Sequence, residues 1–289
     1  MTDTELSYAN EGHTWLKRGV IRAIETLSGR GYLLGYYRYW RDAVAATSQS
    51  KWTDLLALVG VDVVVKEGIW PPANLPDGPL VMIANHPFGL SDGLAILSMA
   101  ERLGRPYRIL INNELLKAPE IRPYALPVDF EETAEALRTN MRTRKEALRL
   151  LGEGVTIIVF PGGGVATAEK PFGPARELPW KTFTAKMIRS ARATVIPLHF
   201  EGQNSALFHL VSRVSLTLRL SLYIREFRRM MGRDLPVRVG AAIPFEELAA
   251  FSDQKAMIAH LHERVVSMAP SRRRRRLRLE RRRVPRIAA

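Results

Sequence analysis

The sequence predicts an α/β protein whose mixed, largely parallel sheet is flanked by helices. Short β-branched or wholly apolar runs alternate along the chain with longer stretches of helical periodicity, which is the pattern of strands joined by crossover helices. The run at 79–84 is apolar throughout, as expected for a strand buried on both faces. Several runs stop at polar or glycine-rich turns, and in a parallel sheet such turns collect at one edge.

Residues 1–50 predict an N-terminal region of amphipathic helices. Two helices are expected within 12–47, separated by the Ser-Gly-Arg-Gly sequence at 28–31. The second helix interleaves aromatic residues with Arg38 and Arg41. Rings and arginines together suit a membrane interface, but an amphipathic helix also packs its apolar face on a domain. The sequence leaves both possibilities open.

Residues 51–270 predict the sheet and the helices that cover it, with no composition shift that would divide them. Ser91 or Asp92 is expected to cap the helix that follows the second strand. Residues 115–129 contain three prolines and predict an irregular connection. We expect strands at 61–65, 79–84, 108–112, 156–160, 194–200 and 237–239, and helices at 52–59, 92–103, 131–152 and 179–190 and within 245–266.

The C-terminal tail, residues 271–289, is dominated by arginine. It contains ten Arg and one Glu, a net charge of +9, which leaves +5 of the total +14 for residues 1–270. Such a tail cannot bury a core, so disorder is expected. It could bind an anionic membrane surface or nucleic acid nonspecifically, and a basic adaptor without enzymatic activity is one hypothesis for the chain. Because no base-reading module is visible, no specific nucleic-acid partner is expected.

The composition excludes several kinds of site. The chain has no cysteine, so disulfides, thiolate metal sites and a cysteine nucleophile are excluded. It contains no His-x-x-x-His pair, and a metal site is not expected. The first residues lack a basic segment followed by an apolar one, so no signal peptide is expected. No uncharged apolar run reaches the length of a transmembrane helix.

The segment Val81–Gly93 has the strongest functional signal. It places His86 at the end of an apolar strand and Asp92 six residues later, across a turn. An imidazole can act as a general base, and a nearby carboxylate can orient it. Three other strand ends carry polar or glycine-rich turns, at 112–113, 161–164 and 201–205. We therefore expect these turns and the His-Asp pair to surround one cleft.

A serine hydrolase is an alternative interpretation of the same segment. Gly89-Leu90-Ser91-Asp92-Gly93 matches the G-x-S-x-G nucleophile elbow, with Ser91 as the nucleophile. However, Pro87 and Phe88 separate the strand from Gly89, and no oxyanion loop of the HGG type precedes it. The acyl-transfer interpretation that follows is therefore preferred.

Three motifs together resemble the glycerolipid acyltransferase superfamily (PlsC-like), specifically its hemolysin-related branch. They are NHPFGLSDG at 85–93, FPGGG at 160–164 and VIPLHFEGQNS at 195–205. The resemblance covers roughly 55–248 and makes 51–270 an acyltransferase domain. It implies a mixed sheet with helices, attachment to the cytoplasmic face of a membrane as a peripheral or monotopic protein, and transfer of a fatty acyl group from a thioester to a lipid.

The resemblance assigns the catalytic base to His86 and its carboxylate partner to Asp92, with five residues between them where the common family pattern has four. The family's FPEGTR block matches residues 160–165, but its Glu is Gly162 and its Arg is Val165. Those two groups are associated with a glycerol-phosphate acceptor, so a lysophospholipid acceptor is less favoured than a lyso-aminolipid.

The expected reaction needs no cofactor, because the acyl thioester is already activated. The donor would be an acyl carrier protein or coenzyme A thioester, and the amides of the glycine turn would stabilise the oxyanion or bind the carrier's phosphates. The basic face of the helix at 131–152 would suit an acidic carrier protein. Substrate-binding residues are expected to be Asn85, Gly89, Phe160, Pro161, Gly162, Gly163, Gly164, Glu201 and Asn204.

Overall fold

The computed structural model describes Ser7 and residues 14–170, 172–213 and 216–270. The predicted Arg-rich tail therefore lies outside the described residues. Within them, seven strands form one sheet. The strands are β1 (Asp62–Glu67), β2 (Leu80–Ala84), β3 (Tyr107–Asn112), β4 (Ala125–Val128), β5 (Thr156–Val159), β6 (Thr194–Phe200) and β7 (Asp234–Val239).

The sheet is mixed, as predicted, and its strand order is β1-β7-β6-β2-β5-β3-β4. Five strands, β6, β2, β5, β3 and β4, run parallel to one another. The direction reverses once, because β7 pairs antiparallel with β6 and β1 runs parallel to β7. β2 is central and buried along its whole length, and it has a parallel neighbour on either side.

Helices cover both faces of this sheet. The α-helices are α1 (Trp15–Leu27), α2 (Arg30–Tyr39), α3 (Lys51–Leu58), α4 (Leu90–Glu101), α5 (Ala134–Gly152), α6 (Phe183–Ala191), α7 (Ala206–Ser212), α8 (Leu216–Ser221), α9 (Tyr223–Met230), α10 (Phe245–Ala249) and α11 (Gln254–Val266). A π-helical turn, Trp40–Ala45, continues α2, and two 3-10 helices, Asn113–Lys117 and Pro119–Tyr124, link β3 to β4.

Alternate residues of β2 enter two different hydrophobic cores. Leu80 and Met82 face a core built with α2, α3, α4 and α9, whereas Val81 and Ile83 face one built with α5, α6, α10 and α11. This three-layer arrangement explains why the strand is apolar without alternation. Among the described helices, none combines the length and the apolar composition needed to cross a bilayer.

The structure answers the question left open for the second helix. Leu33, Tyr36 and Trp40 are buried, and the Trp40 ring lies 5.6 Å from that of Trp52 in α3. One face of α2 therefore packs on the domain. The exposed apolar side chains of this region lie mainly on α1 instead, where Trp15 is 78% and Leu27 is 85% exposed.

Three element predictions were wrong. The connection at 115–129 contains β4, because the sheet edge accepts Pro127 opposite Ile111. The helix expected from Pro179 begins at Phe183, since Lys181 donates its backbone N–H to Pro161 O. The N-cap of α4 is Gly89, and neither Ser91 nor Asp92 occupies that position.

Candidate active site

Three loops meet at the carboxyl end of β2. The loop that follows β2 leads from Asn85 into α4, and its neighbours are the loops that follow β5 and β6. The carboxyl ends of parallel strands form such a crevice. The turn after β3 was also expected here, but β5 separates β3 from β2, and Asn113 begins a 3-10 helix.

His86 and Asp92 are brought together across this crevice. Nδ1 of His86 lies 3.2 Å from Oδ1 of Asp92, and the Asp92 side chain is completely buried. The contact is close, but it is not a well-aligned hydrogen bond, since Nδ1 has no partner that meets the usual angular requirement. Because Nδ1 faces Asp92, Nε2 is the nitrogen left for a substrate.

The carboxylate of Asp92 is fixed by backbone donors. Its Oδ2 accepts a hydrogen bond from Phe88 N at 3.0 Å, and its Oδ1 accepts one from Gly93 N at 3.0 Å. The residue lies in the first turn of α4, where unpaired N–H groups favour a negative charge. Asp92 is therefore held in place by the start of the helix and by the loop before it.

The imidazole of His86 is held by an aromatic ring as well as by Asp92. The rings of His86 and Phe160 stack with their centroids 4.0 Å apart. The backbone carbonyl of His86 accepts a hydrogen bond from Ala166 N at 2.8 Å. Phe160 and Ala166 flank the glycine turn after β5, so this turn and the histidine loop form one unit.

Sequence reasoning missed Glu177, which is the second carboxylate of the site. Its Oε1 accepts a hydrogen bond from His86 N at 2.6 Å, and its Oε2 accepts one from Trp180 Nε1 at 2.8 Å. Burial raises the pKa of the Glu177 carboxyl, while the hydrogen bonds from Trp180 and His86 oppose that shift. Glu177 lies 91 residues from His86 in the chain and outside every recognised motif.

The glycine turn is packed against residues 177–181. A Cβ at Gly162 would lie 3.1 Å from Leu178 O, and one at Gly164 would lie 2.8 Å from the Leu178 side chain. Gly163 has φ +70°, and its N–H donates to Phe160 O at 2.9 Å. The Gly163 N–H is thus already used in a hydrogen bond within the turn. The amides of Gly162 and Gly164 have no backbone acceptor in the part of the chain that the structure describes.

The polar side chains of the loop after β6 are mainly bonded to other parts of the protein. Glu201 pairs with Arg238 of β7, which also pairs with Glu67, so the prediction that Glu201 joins the cleft group is not met. The side chain of Asn204 is buried and donates to Phe88 O at 3.3 Å. Gln203 bonds to the backbone of Gly173 and Ala175, and Ser205 caps α7.

Asn85 is fully occupied by a structural contact. Its Nδ2 donates to Phe200 O at 2.9 Å, and its Oδ1 accepts from Phe200 N at 2.7 Å. The side chain thereby extends the pairing of β2 with β6 beyond the last residue of the strand. The next expected binding residue, Gly89, has φ +86°, and a Cβ there would lie 2.8 Å from the Tyr223 ring. Its backbone shape and its close packing both require glycine.

Ser91 lacks the exposure that a nucleophile elbow needs. It is the second residue of α4 and only 2% exposed, whereas the serine of such an elbow is presented at the top of the sheet. The structure therefore disfavours the serine hydrolase interpretation.

The other histidines that the structure describes make their contacts with different residues. His199 points toward α11, and burial lowers its pKa to about 4. His209 is fully buried, and its Nδ1 accepts a hydrogen bond from Ala168 N at 3.3 Å. His260 and His262 lie on α11 and pack on Phe251 and Trp180, respectively. Within the described ranges, no cluster of three or more His, Asp or Glu side chains could hold a metal ion.

Comparison with known proteins places the chain in a family. A family model described as Acyltransferase matches residues 66–265, which span the His-Asp pair, the glycine turn and the loop after β6. A lyso-glycine lipid O-acyltransferase of Phocaeicola vulgatus is 29% identical over 189 residues, covering 60% of this chain and 62% of that protein. A protein of the same name from Bacteroides thetaiotaomicron is also 29% identical, with 64% of its length covered.

The chain thus spans less than two thirds of the length of these relatives. Among solved structures, the 1-acyl-sn-glycerophosphate acyltransferase PlsC from Thermotoga maritima is 20% identical and has a TM-score of 0.46, with 86% of this chain and 78% of that chain covered.

Proposed function

The chain belongs to the Acyltransferase family, and from that premise we propose that it transfers a fatty acyl group from a thioester to the hydroxyl of a lyso-lipid. The observation that carries the proposal is the 3.2 Å contact between His86 Nδ1 and the fully buried Asp92 carboxylate. This arrangement leaves Nε2 of the ring available to an acceptor. The adjacent glycine turn has two N–H groups, those of Gly162 and Gly164, without a backbone acceptor among the described residues.

In the proposed reaction, His86 Nε2 takes the proton of the acceptor hydroxyl as its oxygen attacks the thioester carbonyl. Asp92 holds the tautomer with the proton on Nδ1 and stabilises the imidazolium that forms. The amides of Gly162 and Gly164 are candidates to stabilise the oxyanion. When the oxyanion collapses, an oxygen ester forms, the carbon–sulfur bond breaks, and the imidazolium returns the proton to the thiolate.

The proposed acceptor is a lyso-aminolipid, in preference to a lysophospholipid. Both curated relatives are named lyso-glycine lipid O-acyltransferases. In addition, Gly162 and Val165 replace the two charged residues of the FPEGTR block, and Val165 is buried. The turn itself therefore offers no charged side chain to a phosphate.

The proposed donor is an acyl carrier protein or coenzyme A thioester. Support comes from α5, whose exposed face carries Arg138, Arg142, Arg144 and Lys145, together with the exposed apolar side chains of Leu137 and Met141. A basic face with apolar side chains complements an acidic carrier protein, and it would raise the rate of encounter with one.

The proposed location is the cytoplasmic face of an anionic membrane, where the chain would bind as a peripheral or monotopic protein. The exposed apolar side chains of α1, Trp15, Leu16 and Leu27, support this location because they could enter the headgroup region. The same helix carries Arg18 and Arg22, which favour anionic lipid.

The proposal is tested by transfer assays on three variants in detergent with an N-acyl glycine acceptor that carries a hydroxyl. His86→Ala should lower kcat by about 100-fold or more, because the general base is lost. Asp92→Asn should also lower it strongly, because the ring loses its orienting carboxylate.

Ser91→Ala is the control and should retain most of the activity. Loss of activity in Ser91→Ala would revive the serine hydrolase interpretation. Full activity in His86→Ala would contradict the proposed mechanism.

A further inference from the structure

The proposed site contains two carboxylates and lacks a cation on its glycine turn. Asp92 contacts the ring of His86, and Glu177 accepts its backbone N–H, so two acidic side chains lie beside the base. An acceptor with an anionic headgroup would be repelled unless a positive charge lies near the turn. Neither Gly162 nor Val165 of the turn can provide that charge.

Lys181 places a cation beside this turn. Its backbone N–H donates to Pro161 O at 3.0 Å, so the residue is fixed to the first position of the turn. Its Nζ lies 4.9 Å from the centroid of the Phe130 ring and 3.4 Å from the position that a Cβ of Gly163 would occupy. The absence of a side chain at Gly163 therefore leaves room for the ammonium group.

The ammonium group of Lys181 lacks a carboxylate partner within the described part of the chain. Among the described residues, no Asp or Glu oxygen lies within ion-pair distance of Nζ. Arg176, five residues earlier in the same segment, differs in this respect, because it pairs with Glu169. The Phe130 face restricts where the lysine chain can go without neutralising its charge.

Two chains of contacts connect Lys181 to the proposed base. In the first, Lys181 bonds to Pro161, whose neighbour Phe160 stacks on the His86 ring. In the second, Trp180, which immediately precedes Lys181, bonds to Glu177, and Glu177 bonds to His86 N. Both routes hold the backbone of Lys181 against the turn that carries Phe160, so its side chain begins beside the same turn as the proposed base.

We propose that Lys181 binds the carboxylate of the acceptor headgroup and so determines which lyso-lipids are acylated. The inference rests on the proposed function, because it names the substrate class of the same site. A carboxylate fits better than a phosphate: Lys181 is a compact point charge, whereas bidentate binding of phosphate favours an arginine, and the arginine of the FPEGTR block is Val165 here. An amino-acid lipid acylated on its amine keeps such a carboxylate.

The test compares an N-acyl glycine acceptor that carries a hydroxyl with its methyl ester, which has no charge. Lys181→Ala should raise the KM for the acid by about 10- to 100-fold, the value of a charged hydrogen bond, and should change the KM for the ester and for the donor less than about twofold. Lys181→Arg should recover much of the loss for the acid. Lys186→Ala is the matched control, because it removes an exposed lysine of the following helix, α6.

Three outcomes would overturn the inference: an unchanged KM for the acid, an equal rise in the KM for acid and ester, or a rise in the KM for the donor instead. The last of these would place a carrier phosphate at Lys181.

A binding measurement separates failure of this inference from failure of the proposed function. N-palmitoylglycine and its methyl ester in detergent micelles serve as the probes. If the wild type transfers no acyl group, the proposed function fails. The inference about Lys181 then stands or falls on whether Lys181→Ala weakens binding of the acid alone.

Discussion

At the scale of single residues, the site depends on groups that hold the base from several directions. Asp92 contacts the ring of His86, Phe160 stacks on it, and Glu177 binds its backbone N–H. Glu177 also accepts the indole N–H of Trp180. This carboxylate therefore links the histidine loop to the segment that packs against the glycine turn, and we assign it a positioning role in the proposed reaction, since it contacts the backbone of His86 and not the ring.

Glu177→Gln should lower kcat by about tenfold or more and leave the KM of both substrates nearly unchanged. A glutamine has one acceptor oxygen, so either His86 N–H or the Trp180 indole loses its partner, which costs roughly 1–3 kcal/mol. Steady-state kinetics measure the effect, with Glu169→Gln, an exposed residue, as the control. A lower free energy of unfolding, with normal kcat for the fraction that is folded, would show that Glu177 is only structural.

His199 should make the protein sensitive to acid. Burial, reinforced by Arg238 and opposed by Glu201, lowers the pKa of His199 from 6.5 to about 4. Between those values the unfolded chain binds a proton that the folded chain does not, so stability is full above pH 6.5 and falls as the pH drops toward 4.

The variant His199→Leu isolates this contribution. Between pH 7 and 4.5 the wild type should lose on the order of 2 kcal/mol more unfolding free energy than the variant does. Urea denaturation at both pH values measures the difference. Parallel losses in the two proteins would show that His199 is accessible to protons in the folded state.

The sequence could reveal the part of the site that lies within one loop. His86 and Asp92 are six residues apart, so a turn and the start of a helix suffice to bring them together. Glu177 and Lys181 reach the site only through the packing of their segment on the glycine turn, and no local pattern encodes that contact. The pairing of Glu201 with Arg238 was not predicted for the same reason, because Arg238 lies on a strand whose direction the sequence does not specify.

At the scale of elements, the crevice depends on the alignment of β2 with β6. The strand pairing ends at Ala84 and Leu198, and the side chain of Asn85 continues it through two hydrogen bonds to Phe200. Both groups of Asn85 are buried. The contact fixes the point at which the chain leaves the sheet and turns toward His86.

Asn85→Ala should therefore lower the free energy of unfolding by about 2–4 kcal/mol, because it leaves the N–H and the carbonyl of Phe200 without partners. Urea denaturation measures the loss. Asn113→Ala removes an exposed amide and should change stability by less than about 0.5 kcal/mol. If Asn85→Ala is stable and only the KM for the acceptor rises, the residue binds substrate, as the sequence analysis expected.

Prediction of the elements themselves was limited where tertiary context overrides local pattern. The strands at 79–84 and 194–200 were identified because their apolar runs fit a buried strand. β4 was missed, since prolines argue against a strand except at a sheet edge, and the sequence does not say which strand lies at the edge. The antiparallel direction of β7 was equally invisible to local patterns.

At the scale of the whole molecule, α1 packs beside the candidate site. Ile24 of α1 packs on a small cluster formed by Val165, Phe208 and Leu222. Val165 follows the glycine turn, and Tyr223, which packs on the same cluster, also lies against Gly89. A membrane bound through α1 would thus be adjacent to the loops that hold His86.

The double variant Trp15→Ala/Leu27→Ala should bind anionic vesicles at least about tenfold more weakly, because each side chain loses roughly 1.5 kcal/mol or more of apolar burial. Activity on acceptors in detergent micelles should remain. Co-sedimentation with phosphatidylglycerol vesicles measures binding, and Phe172→Ala, which removes an aromatic residue that is 93% exposed, is the control. Unchanged binding of the double variant would exclude α1 as the membrane contact.

The pairing of β1 with β7 has a consequence for how the chain acquires its fold. Asp62 pairs with Asp234, and among the described strands β7 is the one neighbour of β1. During synthesis, β1 therefore leaves the ribosome long before its partner β7. Its hydrogen-bonding groups stay unpaired until almost the whole domain has been made. Such a long-range closure is slow, and a nascent chain that stops before Asp234 carries an open edge that is prone to aggregation.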